Sequence, residues 1–313
     1  MIGIDAGGTK LLGGVVDEGL AVRHRVHRLW RATERQELLR VMVEAVDEAR
    51  AAAPDAAAVG FGVPALVDHA TGEALFSTHL PLEGVRLRAL MEERLNLPVY
   101  VDNDANLALF AEARAGAAQG AGHALMLTLG TGIGGGILVD GKLQRGSRGA
   151  GAELGHVVVD LDGPPCQGRC PGRGCLEVMA SGTAIGREGA EAAVRMPDSA
   201  LGEQARGGRE ITGAIVTELA HDGDEAAIGV LRLIGERLGA GIAGLVNAFD
   251  PEVVVIGGGA VAGGDLLLDP ARAVVAERAL PPHQDHVRIV AAHFGEEAGM
   301  LGAAMLALEE GRT

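Results

Sequence analysis

The chain of 313 residues is poor in aromatic side chains and in positive charge. Aromatic residues make up 2% of it, and 27 lysines and arginines stand against 42 aspartates and glutamates, a formal net charge of −15. Nucleic-acid binding depends on basic residues that face phosphates and on rings that stack on bases. We therefore expect no nucleic-acid partner.

From the sequence we also expect no membrane span and no secretory leader. Its longest apolar run, residues 124–139, contains several glycines and is shorter than the ~20 residues that cross a bilayer. The N-terminus leads directly into an apolar strand, unlike a signal peptide, and three cysteines are unlike a disulfide framework. We expect a cytoplasmic protein without a membrane partner. Its length predicts two domains.

Two common catalytic motifs are missing as well. No G-x-x-x-x-G-K-[ST] is present, which excludes a P-loop, and no G-x-S-x-G, which excludes the nucleophile elbow of α/β-hydrolases.

The first twenty residues contain a pattern typical of phosphate binding. An apolar strand carrying Asp5 is followed by Gly7-Gly8-Thr9-Lys10 and a second strand, residues 11–16. This pattern predicts a β-hairpin whose turn lets backbone N–H groups converge on a ligand, with Thr9 and Lys10 as further donors. Asp5 would lie where a hydrated cation sits beside phosphate oxygens.

The same pattern returns in residues 127–140, which align with residues 4–17 and place Thr131 and Gly132 at the turn. This similarity predicts two related α/β domains that offer glycine hairpins to one phosphate group; two unrelated glycine-rich hairpins are the alternative. The predicted domains are residues 1–116, closed by a C-terminal helix at 297–313, and residues 117–296, with a zinc-binding segment at 156–177.

Polar residues follow a predicted strand at Asp102-Asn-Asp-Ala-Asn106, where the periodicity predicts a helix from Ala105 to Gly116. These residue types are common helix caps. They also suit chemistry, because a carboxylate such as Asp104 at a helix N-terminus, next to an amide, can act as general base on an alcohol.

The cysteines cluster in one segment: Cys166, Cys170 and Cys175 follow His156 closely, with glycines that permit tight turns between them. A Cys₃His set predicts a closed, structural zinc site, and the alternative is a chance cluster of free thiols. The metal would hold the two flanking carboxylates, Glu153 and Glu177, in place.

Gly257-Gly258-Gly259 follows a predicted buried strand at 252–256 and resembles a dinucleotide fingerprint only weakly. We interpret it as a glycine surface against which an adenine or ribose packs.

Taken together, these motifs resemble the ROK family of sugar kinases, and within it the bacterial glucokinase type, over essentially the whole chain. The matching stretches, in chain order, are Asp5-Ala-Gly-Gly-Thr-Lys10, Asp102-Asn-Asp-Ala-Asn106, Leu129-Gly-Thr-Gly-Ile-Gly-Gly-Gly136, Glu153-Leu-Gly-His156 through Cys175-Leu-Glu177, and Val254-Val-Ile-Gly-Gly-Gly259.

The resemblance implies an actin-like, hexokinase-type ATPase fold of two similar α/β domains with an inter-domain cleft and a zinc knuckle. It implies ATP-dependent phosphorylation of a hexose at the 6-hydroxyl, with Mg²⁺ and structural Zn²⁺, in a homodimer. Asp104 would be the base, and Asp5 would position Mg²⁺. Positions that would contact the sugar are Asn103, Glu153, His156, Glu177, Gly62 and His79. Positions that would hold ATP are Gly7, Gly8, Thr9, Lys10, Thr131, Gly132, Gly257, Gly258 and Gly259.

Three departures from the family pattern leave alternatives open. Three residues, in place of the usual one, separate Cys166 from Cys170; His79 stands where asparagine is common; and Ala65 replaces a glycine. Glucose is the simplest substrate, and an N-acetylglucosamine or N-acetylmannosamine kinase is the alternative. The phosphate donor could alternatively be polyphosphate. Two other classes of protein are further alternatives: a sugar-sensing repressor without its DNA-binding domain, and a zinc enzyme with an open metal position.

Overall fold

The computed structural model describes residues 1–30, 34–78 and 80–311. The chain divides into two compact units. The first comprises Met1–Gly120, Gly136–Ala152 and His293–Thr313, and the second Ala121–Gly135 and Glu153–Ala292. The domain boundaries expected from the sequence differ in assigning residues 117–120, 136–152 and 293–296 to the second domain, and they remain a prediction.

The strands form two five-stranded sheets and one three-stranded sheet within the described residues. They are β1 Ile2–Ala6, β2 Lys10–Val16, β3 Val22–Leu29, β4 Val59–Val63, β5 Leu66–Asp68, β6 Glu73–Phe76, β7 Val85–Arg86, β8 Val99–Asn103, β9 Ala124–Leu129, β10 Ile133–Val139, β11 Lys142–Leu143, β12 Val253–Gly257 and β13 Arg288–Ala291.

The helices range from one turn to seven turns in length. They are α1 Arg35–Ala52, α2 Leu87–Leu95, α3 Asp104–Ala115, α4 Leu176–Ala180, α5 Gly182–Arg195, α6 Ala200–Arg206, α7 Gly213–His221, α8 Glu225–Phe249, α9 Asp265–Arg278, α10 His283–His286 and α11 Ala298–Glu310. In the part of the chain that the structure describes, no helix has both the length and the apolar character needed to cross a bilayer.

The first sheet has the order β3-β2-β1-β4-β8. The predicted N-terminal hairpin is confirmed, because β1 and β2 pair antiparallel, and β1, β4 and β8 run parallel. The register aligns Asp5 of β1 with Gly62 of β4, and Gly62 with Asp102 of β8. Parallel strands end at the same edge of a sheet, so these three residues form a row at its carboxyl edge.

Helix α11 packs closely on this sheet. A Cβ atom on Gly3 of β1 or Gly60 of β4 would overlap backbone carbonyl groups of α11, so only glycine permits the approach. The same packing places Gly299, in the first turn of α11, next to Asp5, where a Cβ would lie 2.5 Å from Oδ2.

The second sheet has the order β11-β10-β9-β12-β13, with β12 parallel to both β9 and β13 and all five of its residues buried. Helix α8 is the longest helix among the described residues. Its stripe of Leu231, Ile234, Leu238 and Ile242 is fully buried, as the helical spacing predicts.

The sequence interpretation missed several elements. The small sheet β5-β6-β7 consists of strands of two to four residues, too short for an alternating pattern to be recognised. Helices α5, α6 and α9 were also not predicted. Most buried positions of α5 are alanine or glycine, which give little apolar signal; α6 has only seven residues, and α9 contains Pro270, which is unfavourable inside a helix.

Candidate active site

A group of residues at the carboxyl edge of the first sheet, here called the strand-end cluster, comprises Asp5, Gly62, Asp102, Asn103 and Asp104. A Cβ atom on Gly62 would lie 3.6 Å from Asp104 Cα and 3.8 Å from Asp5 Oδ1. The absence of a side chain at this position leaves room beside the Asp5 carboxyl group and the backbone of Asp104. Burial of its carboxyl group and the nearby charge of Asp104 raise the pKa of Asp5 to about 7, and the charge of Lys10 lowers it.

Asp104 is the first residue of α3, and Asn103 is its N-cap. The Asn103 side-chain oxygen accepts hydrogen bonds from the backbone N–H groups of Ala105 (2.9 Å) and Asn106 (3.1 Å). The N–H of Ala105 also donates to Asp104 Oδ1 at 2.9 Å. The capping interpretation of the sequence therefore holds for Asn103. Asp104 thus lies in the first turn of α3, where the helix dipole favours negative charge.

Asp102 is buried, with 1% of its surface exposed. Its Oδ1 accepts from the backbone N–H of Asn103 (2.8 Å) and from Asn106 Nδ2 (3.1 Å), and its Oδ2 accepts from Arg145 Nε at 2.6 Å. The sequence interpretation gave roles to neither Asp102 nor Arg145. A buried carboxylate needs a cation, but nothing local in the sequence identifies a partner 43 residues away.

The turn between β1 and β2 contains Gly7, Gly8 and Thr9. Trp30 holds it from one side: its indole Nε1 donates to the Gly7 carbonyl (2.8 Å), and its backbone N–H donates to the Thr9 carbonyl (3.1 Å). Because the carbonyl groups are bonded to Trp30, the turn has a fixed conformation. The Lys10 ammonium lies 2.8 Å from a carboxylate oxygen of Glu296.

The turn between β9 and β10, residues 130–132, is here called the second glycine loop. Its Thr131 carbonyl accepts from Gln167 Nε2 (2.9 Å) and from Thr183 Oγ1 (2.7 Å). The N–H of Ile133, which follows the loop, donates to Glu177 Oε2 at 2.9 Å. A Cβ on Gly132 would overlap that carboxylate. Glu177 is thus packed directly against the predicted phosphate-binding turn.

Gly257, Gly258 and Gly259 lie where β12 ends. Gly258 has φ +82°, and a Cβ on it would lie 2.6 Å from the Leu129 backbone nitrogen. Glycine is required here for conformation and for contact. The glycines therefore lie beside the end of β9, where the second glycine loop starts, in agreement with a surface formed by backbone.

His156, Cys166, Cys170 and Cys175 come together in the second unit, with one ligand atom from each within 4.8 Å of the others. Cys166 Sγ lies 3.7 Å from His156 Nδ1, and Cys170 Sγ lies 4.0 Å from Cys175 Sγ. Ligand atoms around tetrahedral zinc, with Zn–S bonds of about 2.3 Å, are separated by about 3.8 Å. The four side chains fit a zinc ion. Although Cys166 and Cys170 are separated by more residues than is usual in the family, both belong to the cluster.

The two ring nitrogens of His156 face different groups. Nδ1 points to the cysteines, and Nε2 lies 3.9 Å from Glu153 Oε2. A metal bound at Nδ1 would leave Nε2 available toward Glu153. His79, which the resemblance places at the sugar, lies outside the described residues.

Two α/β units, each with a glycine turn between its leading strands, and a Cys₃His cluster define the actin-like, hexokinase-type class of fold. The chain belongs to the ROK family, whose sequence profile matches residues 1–310.

Individual relatives agree with this assignment. A glucokinase of Thermotoga maritima is 35% identical over 311 residues, which cover 99% of this chain and 97% of that protein. The crystal structure of a ROK family glucokinase from Streptomyces griseus in complex with glucose and AMPPNP has a TM-score of 0.87, 37% identity and 99% coverage of each chain. The ROK hexokinase from Thermus thermophilus has a TM-score of 0.80 and 33% identity, covering 100% of this chain and 99% of the other.

Proposed function

We propose that this protein is an ATP-dependent sugar kinase that phosphorylates the 6-hydroxyl of a hexose, with glucose converted to glucose 6-phosphate. Membership of the ROK family and the glucokinase relatives support a kinase. The observation that carries the chemistry is the strand-end cluster, where Asp104 begins a helix and its charge acts on the carboxyl group of Asp5 beside Gly62.

In the first unit, Asp104 would accept the proton of the 6-hydroxyl as its oxygen attacks the γ-phosphorus. Asp5 would position Mg²⁺, which supplies charge neutralisation at the phosphates when bound. The turn at Gly7–Thr9 would direct backbone N–H groups at the phosphates, with Lys10 as a further donor. Phosphoryl transfer depends mainly on such positioning and charge neutralisation.

In the second unit, Thr131 and Gly132 would bind phosphate, and Gly257, Gly258 and Gly259 would pack against adenosine. Glu153, His156 and Glu177 would bind sugar hydroxyls. In the first unit, the residues proposed for sugar hydroxyls are Asn103, Gly62 and His79. The metal cluster would hold zinc in a structural role, because four protein ligands, His156, Cys166, Cys170 and Cys175, would fill all four positions of a tetrahedral ion.

The test is ADP release from Mg-ATP with glucose, mannose, fructose, N-acetylglucosamine and N-acetylmannosamine, repeated with polyphosphate as donor. Preference for glucose with ATP supports the proposal. Preference for an N-acetylhexosamine would reassign the substrate, and turnover with polyphosphate alone would reassign the donor. No turnover by folded, zinc-containing protein would contradict a kinase.

Asp104→Asn tests the base itself. The side chain keeps its shape and its oxygen acceptor for Ala105 but cannot take a proton, so we expect a folded protein whose kcat is lower by about 10²- to 10⁴-fold. Unchanged activity would rule out this mechanism.

We also propose that the enzyme acts as a homodimer in the cytoplasm, where ATP is present; light scattering tests the dimer.

A further inference from the structure

The pair of Asp102 and Arg145 has no part in the roles proposed above, although it adjoins the residues that carry them. Asp102 immediately precedes Asn103 and Asp104, and its Oδ1 binds the first turn of α3 through the N–H of Asn103 and the side chain of Asn106. Its Oδ2 binds Arg145 Nε at 2.6 Å. One oxygen of this buried carboxylate therefore binds the start of α3, and the other binds Arg145.

Arg145 lies on the segment of residues 144–151, which leads toward Glu153. The segment is fixed at several points: the N–H of Gln144 donates to the Ile137 carbonyl (2.8 Å), and that of Gly151 donates to the Arg145 carbonyl (2.8 Å). Gly149 has φ +82°, and a Cβ on it would lie 2.5 Å from the backbone nitrogen of His69. These contacts hold the backbone of the segment on both sides of Arg145, whose guanidinium group bonds to Asp102.

Burial makes the pair sensitive to the loss of one partner. The side chain of Arg145 is 19% exposed and that of Asp102 is 1% exposed. Removing the cation would leave a buried carboxylate without its charge partner, and such a group takes a proton or turns toward other donors. Two donors already bonded to Asp102 are the N–H of Asn103 and the side chain of Asn106 at the start of α3, and the His69 imidazole also lies close enough to interact with its charge.

We propose that Arg145 is a positioning residue, which acts through Asp102 to hold the Asn103–Asp104 turn in the orientation needed for proton transfer. The inference rests on the proposed function, because it takes Asp104 as the base. Misplacement of a reacting group by about 1 Å can cost on the order of 10²-fold in rate. The effect is expected in kcat, because the roles proposed above assign neither substrate to Arg145.

The experiment compares Arg145→Met, Arg145→Lys, Asp102→Asn and the double variant of Asp102→Asn with Arg145→Met. Arg148→Met, in the same segment but exposed, is the matched control. For Arg145→Met we expect kcat to fall by about 10- to 100-fold, with KM for sugar and ATP within about twofold of wild type. Arg145→Lys keeps the charge and should recover most of this loss, and Arg148→Met should match wild type.

The double variant separates positioning from general damage. It removes both charges but keeps, at position 102, a side-chain amide oxygen that can accept from the N–H of Asn103, so kcat should exceed that of Arg145→Met by about tenfold. All assays are run below Tm and normalised to the folded fraction. Unchanged kcat in Arg145→Met, or losses that simply add in the double variant, would overturn the inference.

Two further results keep the outcome clear. If Arg145→Met does not fold, Asp102→Asn decides: a kcat loss at unchanged KM supports positioning, and wild-type kcat contradicts it. If Asp104→Asn is inactive while Arg145→Met has wild-type kcat, the role of Arg145 is wrong but the proposed base stands. If Asp104→Asn is fully active, the proposed base fails first.

Discussion

Asp5 and Asp104 face the same small space beside Gly62: a Cβ atom there would lie 3.8 Å from Asp5 Oδ1 and 3.6 Å from Asp104 Cα. Two carboxyl groups of like charge are thus held close together by the sheet and by α3. Their repulsion, added to burial, raises the pKa of Asp5. Such an arrangement is unfavourable for the protein alone and is typical of a site that receives a cation.

The Asp5→Asn variant should therefore be more stable than wild type at neutral pH. The carboxyl group ionises at its ordinary pKa of 3.8 when unfolded and at about 7 when folded. The folded state binds the proton more tightly, so wild-type stability falls as the pH rises from 4 to 7 and the penalty is constant above 7. Because Asp5 is only half-buried, we expect a Tm gain on the order of 4 °C at pH 8.

Differential scanning fluorimetry from pH 4 to pH 8, without nucleotide or Mg²⁺, measures this gain. Asp55→Asn, at an exposed position, is the control for the change in net charge. A Tm difference for Asp5→Asn that does not grow between pH 4 and pH 7 would contradict the assigned repulsion. Kinase activity of this variant should be lost at every pH.

Gly62→Ala should damage function more than stability. The added methyl group would lie 3.1 Å from Leu107 Cδ1, the end of a flexible side chain that can move slightly, so the fold should survive. The same methyl group would fill the space between Asp5 and Asp104, and we expect kcat/KM for the sugar to fall by at least about tenfold. Gly229→Ala, where a Cβ meets open space, is the control. Wild-type kinetics in Gly62→Ala would show that this space is not used.

The parts of this site that could be predicted are those whose residues lie close together in the sequence. Asp104 and its helix, the two glycine turns and the cysteine cluster occupy short stretches, and their residue types and spacing are informative by themselves. Asp102 with Arg145 joins a strand end to a distant segment, and each residue alone resembles an ordinary surface charge. Asn103 shows the opposite difficulty, because capping and sugar binding call for the same residue type, and the structure establishes the capping contact.

Removal of the metal should destabilise the protein. His156 and the three cysteines come together in a segment that consists of turns with little apolar core. We expect about one zinc per chain by mass spectrometry, and a Tm lower by several degrees after chelation, because the metal's binding free energy contributes to folding. Zinc, and not Mg²⁺, should restore both Tm and activity. An unchanged Tm in fully metal-free protein would contradict a structural site.

The extra residues between Cys166 and Cys170 should affect the phosphate donor. Gln167, one of them, donates to the Thr131 carbonyl of the second glycine loop at 2.9 Å, beside the bond from Thr183. Gln167→Ala removes one of two bonds to this carbonyl and leaves the metal ligands in place. Since one hydrogen bond contributes about 0.5–1.5 kcal/mol, we expect KM for ATP to rise by about two- to tenfold, with kcat and zinc content unchanged.

Gln119→Ala, at an exposed position, is the control. A higher KM for the sugar alone would place the effect at the metal cluster, whereas a higher KM for ATP alone would show that the longer spacing, a departure from the family pattern, helps to hold the loop proposed to bind phosphate.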